Sequence, residues 1–305
     1  MEQSNRLRGV FSPVITPFAT DLGPDASRLV RHCRWLLSHD VGLAVFGTNS
    51  EGNSMSVGEK IGLLDALVEA GLPAARMMPG TGCCALTDTV ELTRCAVRHR
   101  AGGVLMLPPF YYKGASDDGL FASYAEVIQR VADSRLRIYL YHIPQVSQVP
   151  ISLALIERLL DAYPDVIAGI KDSSGDWSNT QAMLERFQPR GFDVFAGSES
   201  FLLATLRGGG AGCITATGNV NPAPIAQLYR SWRQADADAQ QKALDAVRNA
   251  FQKLPMIPAL KAAVLHYSGD NGFAAVRPPL VKLSVQQREQ LVASLQALGF
   301  SMPGL

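Results

Sequence analysis

Two residues of this chain could do covalent chemistry together. Lys171 ends the apolar run Val166-Ile167-Ala168-Gly169-Ile170, and Tyr141 ends the run Arg137-Ile138-Tyr139-Leu140. Asp172, Ser173, Ser174 and Gly175 turn the chain just after the lysine, and Pro144 stops the tyrosine run. Short apolar runs bounded in this way predict buried strands. Water is scarce at the end of a buried strand, and burial disfavours an ammonium relative to the free amine. A free amine attacks a ketone and forms a Schiff base, and a nearby phenol can move the protons that this requires. Adjacent strands lie about 4.8 Å apart, which is close enough for such a pair. The competing role for Lys171 is to run its stem out of the strand end into solvent. Lys60, Lys113, Lys242, Lys253, Lys261 and Lys282 read as helix or loop surface. That leaves Lys171 as the lysine expected at a buried strand end, which favours the nucleophile.

The elements that must position this pair follow a regular alternation. Strand patterns occur at 10–16, 42–47, 77–80, 103–107, 137–141, 166–171, 192–197 and 212–216. Helical patterns lie between them, at 25–38, 117–132 and 177–187 among others. Ser56 with Glu59 and Asp88 with Glu91 have capping-box spacing, and Ser152 is placed to cap a further helix. Strands this apolar belong to a parallel sheet covered on both faces. Eight β/α units predict a (β/α)8 TIM barrel of the α/β class. Residues 222–305 read as a C-terminal helical appendage, its last helix capped by Ser284 and Gln287. Residues 1–221 are thus expected to be the barrel carrying the active site, with 222–305 closing it within the same domain. A doubly wound sheet would place a glycine-rich turn after the first strand. Thr16-Pro17-Phe18 stands there instead.

In a TIM barrel the chemistry lies at the carboxyl ends of the strands. Thr48 and Asn49 follow the second strand, Phe110 and Tyr111 the fourth, and Tyr141 and His142 the fifth. Lys171 ends the sixth, and Thr215 and Thr217 follow the eighth. His142 could be an acid–base group there or a packed loop residue. Gly208-Gly209-Gly210-Ala211-Gly212 precedes a strand and so reads as a turn at the opposite end.

Composition removes several other classes. A net charge of +1 with scattered Lys and Arg leaves no footprint for nucleic acid. No apolar run approaches membrane-spanning length, and the polar start argues against a signal peptide. The five cysteines lack C-x-x-C spacing, which favours reduced thiols in the cytoplasm. The five histidines show no metal-ligand spacing, so no metal is expected. Gly80-Thr81-Gly82 lacks the third glycine of a dinucleotide loop, so no other cofactor is expected.

Several motifs occur together and in order: GTNSEGNSMSVGEK from Gly47, PPFYYKG from Pro108, YHIP from Tyr141, GIKDSSGD from Gly169, GAGCITATGNVNP from Gly210 and VRPPL from Val276. Over essentially its whole length the chain resembles the dihydrodipicolinate synthase and N-acetylneuraminate lyase superfamily. The resemblance implies a (β/α)8 barrel that binds pyruvate or a related 2-oxo acid as a lysine Schiff base. Carried over by position, Lys171 matches the Schiff-base lysine and Tyr141 the proton-shuttling tyrosine. Thr48 and Asn49 match the GTTGE loop that holds the substrate carboxylate, where backbone N–H groups suffice for an anion. Tyr111 matches a tyrosine that reaches across a subunit interface in dihydrodipicolinate synthases. Ile214 matches a residue whose carbonyl borders the pyruvate. Ser198 and Glu199 fall where family members contact the distal part of a sugar acid, although a helix cap accounts for Ser198 as well. A homo-oligomer, dimer or tetramer, is implied.

The departures narrow the reaction. GTTGE reads Gly47-Thr48-Asn49-Ser50-Glu51 here, and His142 replaces the asparagine of YNVP. Dihydrodipicolinate synthases carry an arginine two residues after that proline, where it binds the aspartate semialdehyde carboxylate; here the residue is Val146. Losing a charge-assisted hydrogen bond costs about 1.5–3 kcal/mol. The expected activity is therefore a class I lyase acting on a 2-oxo acid, with a neutral or hydroxylated aldehyde as partner. Dehydration or deamination through the same Schiff base, dihydrodipicolinate synthesis itself, and a non-catalytic 2-oxo-acid-binding protein are the alternatives.

Overall fold

The computed structural model describes residues 6–305. They fall into two compact units: the chain up to Gly9 with Pro73–Ile214, and Val10–Leu72 with Thr215–Leu305. The chain opens with β1 (Gly9–Ser12), α1 (Ala26–Ser38), β2 (Gly42–Leu43), α2 (Val57–Glu69) and α3 (Leu86–Arg98). Next come β3 (Val104–Met106), α4 (Asp117–Val131), β4 (Ile138–His142), the short α5 (Pro144–Ser147) and α6 (Leu153–Ala162). They are followed by β5 (Ile167–Asp172), α7 (Trp177–Phe187), β6 (Asp193–Ala196), α8 (Leu202–Arg207) and β7 (Gly212–Ile214). Four helices complete the chain: α9 (Pro222–Ser231), α10 (Ala237–Gln252), α11 (Met256–Ser268) and α12 (Val285–Ala297). No helix among the described residues is long and apolar enough to cross a membrane.

In the first unit the strands lie in the order β7-β6-β5-β4-β3, with every pairing parallel. The sheet is buried throughout, as the near-continuous apolar runs require. Tyr139 of β4 meets Phe195 of β6 edge to face, with ring centroids 5.7 Å apart. Gly169 lies between them on β5, paired with both Tyr139 and Asp193. A Cβ there would come within 2.9 Å of the Tyr139 ring, so glycine makes the room for that aromatic pair. At the start of β7, Gly212 has φ +144, and a Cβ would stand 1.9 Å from the Gly9 carbonyl oxygen. Only glycine allows this close backbone approach.

The second unit holds the parallel pair β1–β2, with Phe11 opposite Gly42 and Ser12 opposite Leu43. Asp25 caps α1 through the Arg28 N–H at 2.9 Å, and the helix buries Leu29, Cys33 and Leu36. Ser56 and Glu59 form the expected capping box of α2, and Ser284 and Gln287 that of α12. The Asn219 side chain accepts from the Ile15 N–H and donates to the Pro13 and Ala216 carbonyls, tying the exit of β1 to the turn before α9.

Three sequence expectations need correction. Residues 77–80 make no full strand. They contribute one parallel bridge, Gly80 opposite Leu105, where Leu105 donates to the Pro79 carbonyl and Thr81 to the Leu105 carbonyl. Asp88 does not cap α3, because the helix starts at Leu86 and Asp88 lies inside its first turn. Thr89 takes up the preceding loop instead: its hydroxyl accepts from the Cys83 N–H at 3.0 Å. Lys60 and Lys261 are buried rather than on the surface.

Candidate active site

Lys171 and Tyr141 are direct partners across β4 and β5. Side chains alternate along a strand, so paired residues share a face. The Lys171 ammonium lies 4.3 Å from the centre of the Tyr141 ring, and Lys171 itself is only 2 % exposed. Next along the strands, His142 pairs with Asp172 and must take the opposite face. Asp172 marks that face as the one toward α7. Its carboxylate accepts from the Thr180 hydroxyl at 2.6 Å, the Asn179 amide at 3.1 Å and the Ser174 N–H at 2.9 Å. Lys171 and Tyr141 therefore lie on the sheet face turned away from α7. A hydrogen-bonded carboxylate on the α7 face fixes the strand end that carries them.

His142 shares the face of Asp172, not that of Lys171. Its Nδ1 accepts the Ile151 N–H at 3.0 Å, so this nitrogen carries no proton and any ring proton sits on Nε2. Burial lowers the imidazole pKa, against the opposing pull of Asp172. The ring thus pins the far end of the 143–151 segment. The middle of the segment is held by Lys113, whose ammonium donates to the Phe110 carbonyl and, at 2.9 Å, to the Ser147 carbonyl. Gln145 donates to the Ser173 carbonyl just after the lysine strand. Val146 points outward, 58 % exposed.

The other candidates of the first unit are dispersed. Ile214 ends β7 and is fully buried. Ser198 caps a single 3-10 turn through the Ser200 N–H, and Glu199 within that turn is buried. Tyr111 and Tyr112 stand edge to face on the loop after β3, 73 % and 76 % exposed.

In the second unit, Thr48, Asn49 and Ser50 form one 3-10 turn. The Gly47 carbonyl accepts from both the Ser50 and Gly52 N–H groups, and the Thr16 hydroxyl donates to the Ser50 carbonyl at 2.7 Å. Glu51 follows in the left-handed region and is fully buried. Lys261 donates to its Oε1, and the Arg277 N–H donates to its Oε2 at 2.8 Å. Sequence reading missed Lys261. The signal was available, since it is the one charged residue before His266 in the apolar helix Met256-Ile257-Pro258-Ala259-Leu260-Lys261-Ala262-Ala263-Val264. A charge in such a helix needs a buried partner.

Parallel strands bearing a buried lysine and a tyrosine near their carboxyl ends define an α/β protein of the kind expected from the sequence motifs. The chain belongs to the Dihydrodipicolinate synthetase family, whose model matches residues 6–298 and whose enzymes are lyases. It is 36% identical over 293 residues to an uncharacterized DapA-like lyase of Chloroflexus aurantiacus, covering 95% of each chain. Among solved structures, dihydrodipicolinate synthase from Agrobacterium tumefaciens matches with a TM-score of 0.87 and 31% identity, over 95% of this chain and 99% of that one. A dihydrodipicolinic acid synthase family protein from E. coli, solved in complex with pyruvate, matches with a TM-score of 0.88 and 25% identity, over 96% and 99%.

Proposed function

We propose that this protein is a class I lyase that breaks or forms a carbon–carbon bond in a 2-oxo acid, with pyruvate as product or donor. The observation that carries this reading is the buried Lys171 ammonium over the Tyr141 ring at 4.3 Å, on one face of two paired strand ends. The free amine of Lys171 attacks the keto carbon, and the carbinolamine loses water to give an iminium. In the cleavage direction the substrate hydroxyl gives up its proton and the adjacent carbon–carbon bond breaks. The electron pair moves into the iminium, leaving the enamine of pyruvate and releasing an aldehyde. Protonation of the enamine and hydrolysis then free pyruvate and the lysine. Tyr141 moves the protons at the carbinolamine and at the substrate hydroxyl. Thr48 and the Asn49 backbone hold the substrate carboxylate, and the Ile214 carbonyl borders the pyruvate. Ser198 and Glu199 serve the distal end of the substrate. His142 contributes by fixing the 143–151 segment rather than by acid–base chemistry, in keeping with its bond to the Ile151 N–H.

The aldehyde is neutral or hydroxylated. Residues 143–151 contain no cation, and both bonds of the nearby Lys113 ammonium go to backbone carbonyls. The chain works in the cytoplasm on the (β/α)8 architecture that its family implies. It forms a homodimer or a tetramer of dimers in which the exposed Tyr111 is covered. Pyruvate consumption against a panel of aldehydes tests the assignment. Turnover with glyceraldehyde exceeding that with aspartate semialdehyde is expected. Turnover with aspartate semialdehyde alone would make the chain a dihydrodipicolinate synthase, and water loss from a 2-oxo sugar acid without cleavage would make it a dehydratase.

A further inference from the structure

Glu51 occupies a backbone conformation that a residue with a side chain rarely adopts, φ +56 and ψ +33, directly after the Thr48–Ser50 turn. Glycine or asparagine is the usual choice at such a position. The chain doubles back tightly here, since a Cβ on the next residue, Gly52, would lie 2.0 Å from the Phe46 carbonyl oxygen. A glutamate at this place therefore needs a reason, and its side chain supplies one. Both carboxylate oxygens are engaged, one by the Lys261 ammonium and the other by the Arg277 N–H.

Lys261 in turn donates to the Ala275 carbonyl at 2.7 Å and lies 4.4 Å over the Phe18 ring. The Arg277 guanidinium donates to the Leu22 and Ser54 carbonyls and to the carboxylate of Glu59, which completes the capping box of α2. Two ion pairs, Lys261 with Glu51 and Arg277 with Glu59, are joined through the bond that the Arg277 backbone N–H donates to Glu51. Both ends of the segment from the turn to α2 are thus clamped from α11 and from the Ala275–Arg277 stretch. Burial pushes the Lys261 ammonium down to about 8, although Glu51 opposes the shift. A buried ion pair is a poor way to gain stability over apolar side chains of similar size. Its geometry, however, fixes a backbone to within a fraction of an ångström.

We propose that Lys261, Glu51 and Arg277 are positioning residues that set the Thr48–Ser50 turn and thereby its grip on the substrate carboxylate. This rests on the proposed Schiff-base reading. The test is the half-saturating ketone concentration for borohydride trapping at Lys171, measured with pyruvate and with hydroxyacetone, which lacks the carboxylate. Glu51→Gln and Lys261→Met each leave one buried charge unpaired and can lose stability for that reason. The double variant removes both charges together, and melting temperature reports whether it is folded. It is expected to melt near the wild type, to need at least tenfold more pyruvate, and to need no more hydroxyacetone. Wild-type half-saturation by pyruvate in the double variant, or an equal rise for both ketones, overturns this inference alone. Failure of the wild-type chain to form either adduct overturns the Schiff-base reading and this inference with it.

Discussion

Gly169 sits two residues before Lys171 on β5, and replacing it by alanine tests whether the strand's position sets the reactivity of the lysine. The new Cβ would lie 2.2 Å from the Asp193 carbonyl oxygen and 2.9 Å from the Tyr139 ring. The first contact is about 1 Å short of ordinary van der Waals separation, and it is made with backbone, so a side-chain rotation cannot relieve it. β5 must move away from β6. Overpacking of this kind costs about 1–3 kcal/mol, or roughly 2–5 °C in melting temperature for a chain of this size. A 1 Å displacement of a reacting group can cost about a hundredfold in rate. Gly62, inside α2, is the matched control, because a Cβ there meets nothing within 4 Å. Gly62→Ala should gain about 0.4–1 kcal/mol through the unfolded chain. Calorimetry and the rate of borohydride trapping at saturating pyruvate read both effects. If Gly169→Ala melts and traps like the wild type, or if Gly62→Ala falls as far as Gly169→Ala, the steric reasoning is wrong.

Other perturbations separate stability from chemistry. Tyr141→Phe keeps the buried ring under the lysine and should lower turnover about 10²–10⁴-fold with little change in melting temperature; a turnover within threefold of wild type would remove Tyr141 from the proton path. Burial holds His32 down to about 4 in the folded chain, against 6.5 when unfolded, so its contribution is present above pH 6.5 and is lost as pH falls toward 4. The window is worth about 3 kcal/mol, and urea titrations of His32→Gln should show a shallower acid loss than the wild type by about that amount. Burial should make Lys261 release its proton near pH 8, ahead of the unfolded chain's 10.5, with Glu51 opposing the shift and Arg277 adding to it. Half-saturating pyruvate should therefore rise above pH 8 while this group's contribution to stability increases between pH 8 and 10.5; a flat profile for the wild type would contradict the assignment.

Much of this arrangement is legible in the sequence because burial on both faces writes itself as uninterrupted apolar runs. Those runs locate β4 and β5 to within a residue, and with them the pairing of Tyr141 and Lys171. Parity along the strand also separates His142 from Lys171, although that requires the register, which adjacent runs alone do not supply. Residues 77–80 carry the apolar pattern of a strand, yet only Gly80 is bridged. The start of α3 hangs on whether the Thr89 hydroxyl serves the Cys83 N–H, a choice invisible to capping-box spacing. Lys261 is hidden in the sequence for a different reason. Periodicity ranks a lone lysine as surface, and its counter-charge lies 210 positions away at Glu51.

The central claim is that Lys171 forms a Schiff base with a 2-oxo acid. Borohydride reduction in the presence of pyruvate, followed by intact-protein and peptide mass spectrometry, tests it most directly, with Lys171→Ala alongside. A reduced pyruvyl adduct on the Lys171 peptide, absent from the variant, is the predicted result. No adduct with pyruvate or longer 2-oxo acids, or an adduct that persists in Lys171→Ala, would contradict it.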